Sequence, residues 1–548
     1  MKKYIFILLA LVLAVSCKDE AFLEEKTYND DTGSFFTNQK SIEIALASAY
    51  SEIQYMVFGN QRGGSSHNWM VNGMGLDTFA TTSVTMSSDN DGVFADWPTL
   101  TSISGYVRHY GEYMYKLSNR ANIVVDMIDE HPEIEYSTST MKDELRAEAV
   151  FLRAYAFRVI AGMFGNVVYN DHMTQEARYD YEMLSREEAW KLIAADFEYA
   201  EQTLPSTARM MGTVTKAAAA HYLAETQLAL GNFAEAEAAA SRVINGQDGD
   251  YHLMTTRFGN RADQATDRYG NSLAAPQGAY WDLFRTSVKT DGTIASEFVQ
   301  RPAGDVLGSY WDDPNDFRGS EVMIQRDYYT PSGKKWSEVK KAVKARVDAG
   351  LYEITASDTV NITPRFWKFS DDKHIIQNDN CYYDTDWYMI RIAETYLLRA
   401  EARLAQGNKQ GAADDINVLR NRAGAKPVSA GDVNIDYILD ERVRELFGEE
   451  QRWITLSRLS CNPAATYVAE CYPTQDNTTS NTLYERTRKY GWGYENDLTA
   501  GRRETYTDAL GNTRHRPNIQ PFNYVLPIPN QIIESNKDRE IKQNYGYK

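Results

Sequence analysis

The amino-acid sequence predicts a mostly α-helical protein, with antiparallel helix pairs as its scaffold and a large irregular, loop-rich region between two of those pairs. Three observations carry the prediction. Apolar residues recur in alternating steps of three and four along several segments. Two of these segments double back at a glycine-asparagine break, and the stretch between the two reversals loses helical periodicity while filling with Gly, Asp, Asn and aromatic residues.

The chain opens with Met1-Lys2-Lys3, an apolar run from Ile5 to Val15, and Ser16-Cys17. Residues 1–16 are expected to be a secretion signal, too short and wrongly flanked for a stable membrane span. Ala14-Val15-Ser16-Cys17 offers the small residues of a lipobox, so Cys17 is the expected lipidation site and first mature residue. Ordinary cleavage, with Cys17 free or disulfide-bonded, is the competing reading. Residues 17–40 then form a lipidated tether, in which Lys18-Asp19-Glu20 resembles the surface-export signal of Bacteroidetes lipoproteins. No later stretch is apolar and long enough to cross a bilayer, so attachment falls to the acyl chains, each buried methylene contributing about 0.8 kcal/mol.

No Pro/Ser-rich linker or charge block divides residues 41–548, which are expected to form one large, insertion-rich domain. Ser41–Gln54 is the first predicted helix, followed by a Gly-rich loop from Gly59 to Gly92. Val150, Ala154, Phe157, Ala161 and Phe164 make one buried stripe on a helix over Arg146–Phe164, which Gly165-Asn166 ends. A helical pair is predicted over about 215–245: Ala219, Leu223, Thr226 and Leu230 share a face, Gly231-Asn232 reverses the chain, and Ala236, Ala240 and Val243 face back. A second pair over about 388–423 repeats the scheme. Ile390, Ala393, Leu397, Ala400 and Leu404 precede a Gln406-Gly407-Asn408 turn, and Ala412, Ile416, Leu419 and Ala423 follow it. Small residues at the crossings let paired helices approach closely, which is the tetratricopeptide design; an ordinary alanine-rich bundle is the alternative. Residues 246–388 remain as a long loop-rich insertion, and a stretch of that length is usually functional.

The net charge of −18 argues against a nucleic-acid partner, which would need a basic face to displace counterions. The 36 tyrosines and 10 tryptophans instead supply much amphipathic flat surface. No zinc-binding helix or nucleophile elbow occurs, so no catalytic residue, metal site or cofactor is assigned. His221 and Glu225 lie one helical turn apart and are expected to be a solvated polar pair rather than metal ligands. Asp89-Asn90-Asp91-Gly92 is a turn, because Pro98 stands where a calcium loop needs its glutamate. Cys381, Cys461 and Cys471 match no zinc spacing; an oxidising exterior leaves a Cys461–Cys471 disulfide open.

Aromatic-polar groupings in the loops suit sugars, whose C–H faces pack on aromatic planes while hydroxyls need short polar partners. The candidate ligand-binding residues are Asn68, Trp69 and Asp77, Trp97, Trp281, Trp311, Arg365 and Tyr382. For each aromatic the competing role is a buried residue that pins its loop.

Five ordered blocks resemble the SusD/RagB nutrient-binding family: Phe22-Leu23-Glu24 with Ser34–Thr37 and Ala45–Tyr50, Arg146–Tyr155 with Phe164–Val167, Arg391–Ala402 through Ile416–Gly424, Glu441–Leu446 with Arg452-Trp453, and Leu526–Pro529 with Gln543–Tyr547. Thr455, where the family commonly has aspartate, and Tyr545, where it usually has proline, depart from the pattern. The resemblance implies tetratricopeptide pairs as scaffold, a ligand site on loops at the other side, and a TonB-dependent SusC-like outer-membrane transporter over which the lipoprotein sits as a lid. Residues and resemblance together lead to the expectation of a cell-surface, outer-membrane lipoprotein that binds oligosaccharide or polysaccharide without turning it over. A peptide-binding lid of a RagAB-like importer and a surface glycosidase are the rival readings.

Overall fold

The computed structural model describes residues 35–58, 73, 75–81, 97–254, 286–288, 294–296, 300–302, 310–320, 323–325, 365–366, 375–376, 382–383, 389–460, 480–491, 505–507 and 513–547. Its elements, in chain order, are α1 (Gln39–Phe58), β1 (Phe79–Thr81), α2 (Gly105–Glu130), α3 (Met141–Phe164), β2 (Val167–Val168), β3 (Met183–Leu184), α4 (Arg186–Thr203), α5 (Lys216–Leu230) and α6 (Phe233–Ile244). Short strands follow: β4 (Thr286–Val288), β5 (Ile294–Ser296), β6 (Gln300–Pro302), β7 (Ile324–Gln325), β8 (Arg365–Phe366), β9 (Ile375–Ile376) and β10 (Tyr382–Tyr383). The chain then forms α7 (Ile392–Ala405), α8 (Lys409–Arg422), α9 (Ile435–Leu446), α10 (Arg452–Ser460), α11 (Thr482–Tyr490), β11 (Thr505–Thr507), β12 (Thr513–His515) and α12 (Asn530–Ser535).

The helical expectation holds, and so do both predicted pairs, α5 with α6 and α7 with α8. From α1 to α8 each helix packs against the next in the chain, and the α6–α7 contact joins the two pairs across the residues between them. This nearest-neighbour stacking is the solenoid logic of tetratricopeptide proteins.

The α3 helix is the hub, buried continuously from Ala147 to Phe164. It lies between α2 and α4 and also meets α10. At the α3–α10 crossing a Cβ on Gly162 would stand 2.9 Å from Ile454 Cγ2, so only glycine permits this approach. Gly165, at φ +83°, ends α3 by a conformation that L side chains resist.

The sequence reading passed over α2, although Val107, Tyr110, Met114, Leu117, Ala121, Val124 and Ile128 form an apolar stripe and are all buried. Each aliphatic side chain fully buried on such a stripe contributes about 1.5–3 kcal/mol. It also passed over α4, whose start is a capping box in which Ser185 accepts from the Glu188 amide at 3.2 Å and Glu188 accepts from the Ser185 amide at 2.9 Å.

The described strands pair two by two, all antiparallel. In the β1–β6 ladder Phe79 faces Pro302, Ala80 faces Arg301 and Thr81 faces Gln300, which ties the first predicted loop to the long insertion. Most of that insertion, 246–388, lies outside the described residues. So do Cys17 and the rest of the predicted signal and tether up to residue 34, the Asp89–Gly92 turn, and Cys381, Cys461 and Cys471. Among the described residues no helix is long and apolar enough to cross a membrane.

Candidate functional site

Of the eight candidate ligand residues, Asn68, Trp69 and Trp281 lie outside the described residues. Arg365 and Tyr382 are placed by backbone only, Arg365 opposite Gln325 in the β7–β8 ladder and Tyr382 opposite Ile376 in the β9–β10 ladder. The remaining three, Asp77, Trp97 and Trp311, come together along α9, α10 and α11, but turned inward.

Asp77 is fully buried. Arg452 donates to its two carboxylate oxygens from Nε at 3.0 Å and Nη2 at 2.6 Å, and Arg486 Nε donates at 2.8 Å. Burial alone would raise this carboxyl, yet the two guanidiniums outweigh it and hold the group at about 2. Arg486 continues through Nη2 to the Tyr310 hydroxyl at 2.9 Å, and Arg444 Nη1 donates to the Tyr310 carbonyl at 3.2 Å. Trp311 next to it packs edge-on against Phe447, with ring centres 6.0 Å apart. Gly319 lies so close that a Cβ there would be 2.7 Å from Trp311 Cβ. Trp97 is 2% exposed, its ring centre 5.7 Å from that of Trp453, and its amide donates to Asn518 Oδ1 at 3.1 Å.

These contacts correct the expectation that Asp77, Trp97 and Trp311 face an open ligand pocket. A fully buried carboxylate shared by two arginines offers no accessible oxygen to a sugar hydroxyl, and rings packed against Trp453 and Phe447 are buried with it. All three pin loops instead, the competing role weighed for each aromatic. The loops leave a rigid platform built by α9–α11, and β1 begins two residues beyond Asp77.

The sequence reading missed the platform's arginines as functional positions. Arg442 donates to Glu450 at 2.6 Å and to Glu394, and Arg458 donates to Glu401 at 2.5 and 2.8 Å. The signal was present in α10, where Arg452-Trp453-Ile454-Thr455-Leu456-Ser457-Arg458-Leu459 has no continuous polar face, so its cations require buried partners. Thr455, one of the two departures from the family pattern, is buried and accepts from Arg442 Nη2 at 3.3 Å. Glu450 and Glu394 already neutralise that guanidinium, so a hydroxyl suffices where an aspartate is commoner.

His221 and Glu225 are buried rather than solvated, which corrects the expected polar surface pair. Arg158 holds Glu225, while His221 Nδ1 sits 2.9 Å from Thr395 Oγ1 and Nε2 sits 3.8 Å from Glu394. Among the described residues no group of three or more His, Cys, Asp or Glu is arranged to hold a metal. Burial, reinforced by the nearby Arg158 and Arg442 charges, pushes His221 down to about 3 despite Glu225. Glu225 and Glu441 are each held at about 2 because their guanidinium partners overcome burial.

A pH dependence follows. The unfolded chain takes up a proton on His221 near 6.5 whereas the folded chain resists until about 3, so acidification across that window favours unfolding by about 1.4 kcal/mol per pH unit. Below about 4.5 the depressed carboxylates Asp77, Glu225 and Glu441 add losses of the same sign. Glu394, Asp196, Asp248 and Asp415, raised by burial, gain protons earlier in the folded state and offset part of this. Urea unfolding should show stability falling from pH 6.5 to 5, less steeply than His221 alone would give, because His172, raised by its bond to Asp126, gains from acidification. In His221→Asn that upper limb should be reduced by about 2 kcal/mol. Superimposable pH profiles for the two proteins would show that His221 is not held neutral.

The SusD family profile matches residues 243–547. A second profile, described as starch-binding associating with outer membrane, matches residues 21–228. The SusD-like protein P2 of Formosa agariphila is 26% identical over 496 residues, covering 84% of this chain and 91% of that protein. Among solved structures, a laminarin binding SusD-like protein superposes with a TM-score of 0.61 at 19% identity, covering 93% of this chain and 100% of the other. A SusD superfamily protein from Bacteroides thetaiotaomicron gives a TM-score of 0.63 at 15% identity, with 93% and 100% covered. With its helical array shared by these structures and more than half its length matched by the family profile, the chain belongs to the SusD family.

Proposed function

We propose that this protein is a lipid-anchored surface receptor that captures oligosaccharide or polysaccharide and passes it to a TonB-dependent SusC-like transporter, making and breaking no covalent bond. The observation that carries the reading is the platform. Asp77, Trp97 and Tyr310-Trp311 lock two loops of the first part of the chain and one of the insertion onto α9–α11, giving the loop-rich side a fixed base. Ligand sites preorganised in this way lose little affinity to loop ordering. The starch-binding description of the matched profile supports a glycan as ligand. The lipobox at Ala14–Cys17 supports outer-membrane anchoring through Cys17, with the acidic residues behind it favouring the outer face.

With Asp77, Trp97 and Trp311 assigned to the platform, the stacking role falls to Trp69 and Trp281, with Asn68, Arg365 and Tyr382 as polar or edge partners. A glycan array screened with the mature chain should yield a ligand whose reducing ends do not increase on incubation. Trp69→Ala or Trp281→Ala should then weaken that ligand by about 1–3 kcal/mol, tenfold or more, with an unchanged melting temperature. Binding to a peptide library but to no glycan would overturn the reading in favour of peptide capture, and release of new reducing ends would make the protein a glycosidase.

A further inference from the structure

A groove of about 400 Å³ runs between α2 and the segment that begins α12. Its floor is apolar, formed by Pro529, Ile532 and the ring of Tyr115. Its rim is charged. Arg108, Glu112 and Lys116 succeed one another at one-turn intervals on α2, which spaces the two cations about 12 Å apart.

Arg120, the next cation along, is neutralised by Glu52 at 2.8 Å. Neither Arg108 nor Lys116 has a carboxylate partner among the described residues, which is unusual in a chain with a net charge of −18. The Arg108 Nε is buried with no hydrogen-bond acceptor, while its Nη2 is engaged only by His109 Nε2 at 3.0 Å. No protein carboxylate among the described residues therefore neutralises this guanidinium, and a ligand carboxylate lying in the groove would pair with its charge.

We propose that this groove is a second saccharide site, and that it takes a uronic-acid-bearing sugar. The cations select a carboxylate, the aliphatic and aromatic floor receives the C–H face of a pyranose, and Glu112 and Asn119 supply an acceptor and an amide for its hydroxyls. Glu112 leaves the triad a net charge of +1, enough for one carboxylate. A bare phosphate or sulfate ion would leave the floor unused. A peptide would find no strand edge to pair with, because the lining residues lie on α2 and at the start of α12.

Calorimetric titration of the mature protein with digalacturonate and diglucuronate should show binding of at least one. The carboxyl-reduced, neutral disaccharide should bind roughly tenfold more weakly or worse. Lys116→Gln, at an exposed position, and the double variant Arg108→Gln/Lys116→Gln should weaken the uronate progressively with unchanged circular dichroism, whereas Trp281→Ala should leave it untouched. Sulfate competing at equal concentration would reduce the site to a simple anion patch, and tighter binding of a tri-glutamate peptide would reassign it to protein. The proposal is overturned by either result, by failure of both uronates to bind, or by equal binding of the neutral sugar.

Discussion

Replacing Asp77 by alanine should lower the stability of the folded chain by about 3–5 kcal/mol, the cost of breaking a buried ion pair from one side. The arithmetic is that of charge left without its counterion. Arg452 and Arg486 are each 1% exposed in their side chains and both donate to this carboxylate. Of charged partners Arg452 would keep only Glu450 at 3.2 Å, beside the Leu439 carbonyl, and Arg486 would keep Asp436 and Asp440 at the platform's rim, beside the Tyr310 hydroxyl. Two guanidiniums facing each other across a vacated carboxylate also repel. Urea denaturation followed by circular dichroism gives the loss directly. Pairing the change with Arg452→Met, which replaces a buried ion pair by apolar volume, should recover part of it. An alanine variant as stable as the parent would mean that Asp436, Asp440 and Glu450 satisfy both cations unaided.

Trp97→Ala should cost about as much, roughly 3–5 kcal/mol, but by another mechanism. The indole fills space against Trp453 within the main core, and its removal leaves a cavity bordered by α10. Glycan affinity measured well below the unfolding temperature should match the parent, because Trp97 is buried against Trp453. This is the reverse of the outcome expected for Trp69 and Trp281, so stability and affinity measured on the same variants separate a pinning tryptophan from a stacking one. A Trp97→Ala protein of parental stability but weakened glycan binding would return the residue to the ligand site.

The helical scaffold was legible because its information is local. The stripe from Val150 to Phe164, the Gly231-Asn232 reversal and the small residues at Ala236 and Ala240 each state their structure within one or two turns. The loops were not legible in the same way. Gly- and Asp-rich surroundings at Trp97 and Asp77 predict exposure, but burial there is imposed by Trp453, Arg452 and Arg486, which lie more than 350 positions away in the chain. No periodicity links such partners. His221 and Glu225 misled for a related reason: spacing showed that they share a helix face but could not show that α7 and Arg158 would cover it.

The same distances bear on how the polypeptide is made. Leu526 donates its amide to the Met163 carbonyl at 2.7 Å, and Asn544 Nδ2 donates to the carbonyls of Phe164 and Leu526 at 2.7 Å, so the end of the hub helix is closed by the last part of the chain. Synthesis proceeds from the other end. Until Leu526 and Asn544 emerge, the terminal carbonyls of α3 stay open and Asp77 waits for arginines that have only recently been added. A polypeptide halted before that point carries unmatched charge and an uncapped apolar helix, both of which invite proteolysis. Arrival of the C-terminal segment therefore completes the fold, and a chain truncated before Leu526 should be cleaved by added protease far faster than the full-length one.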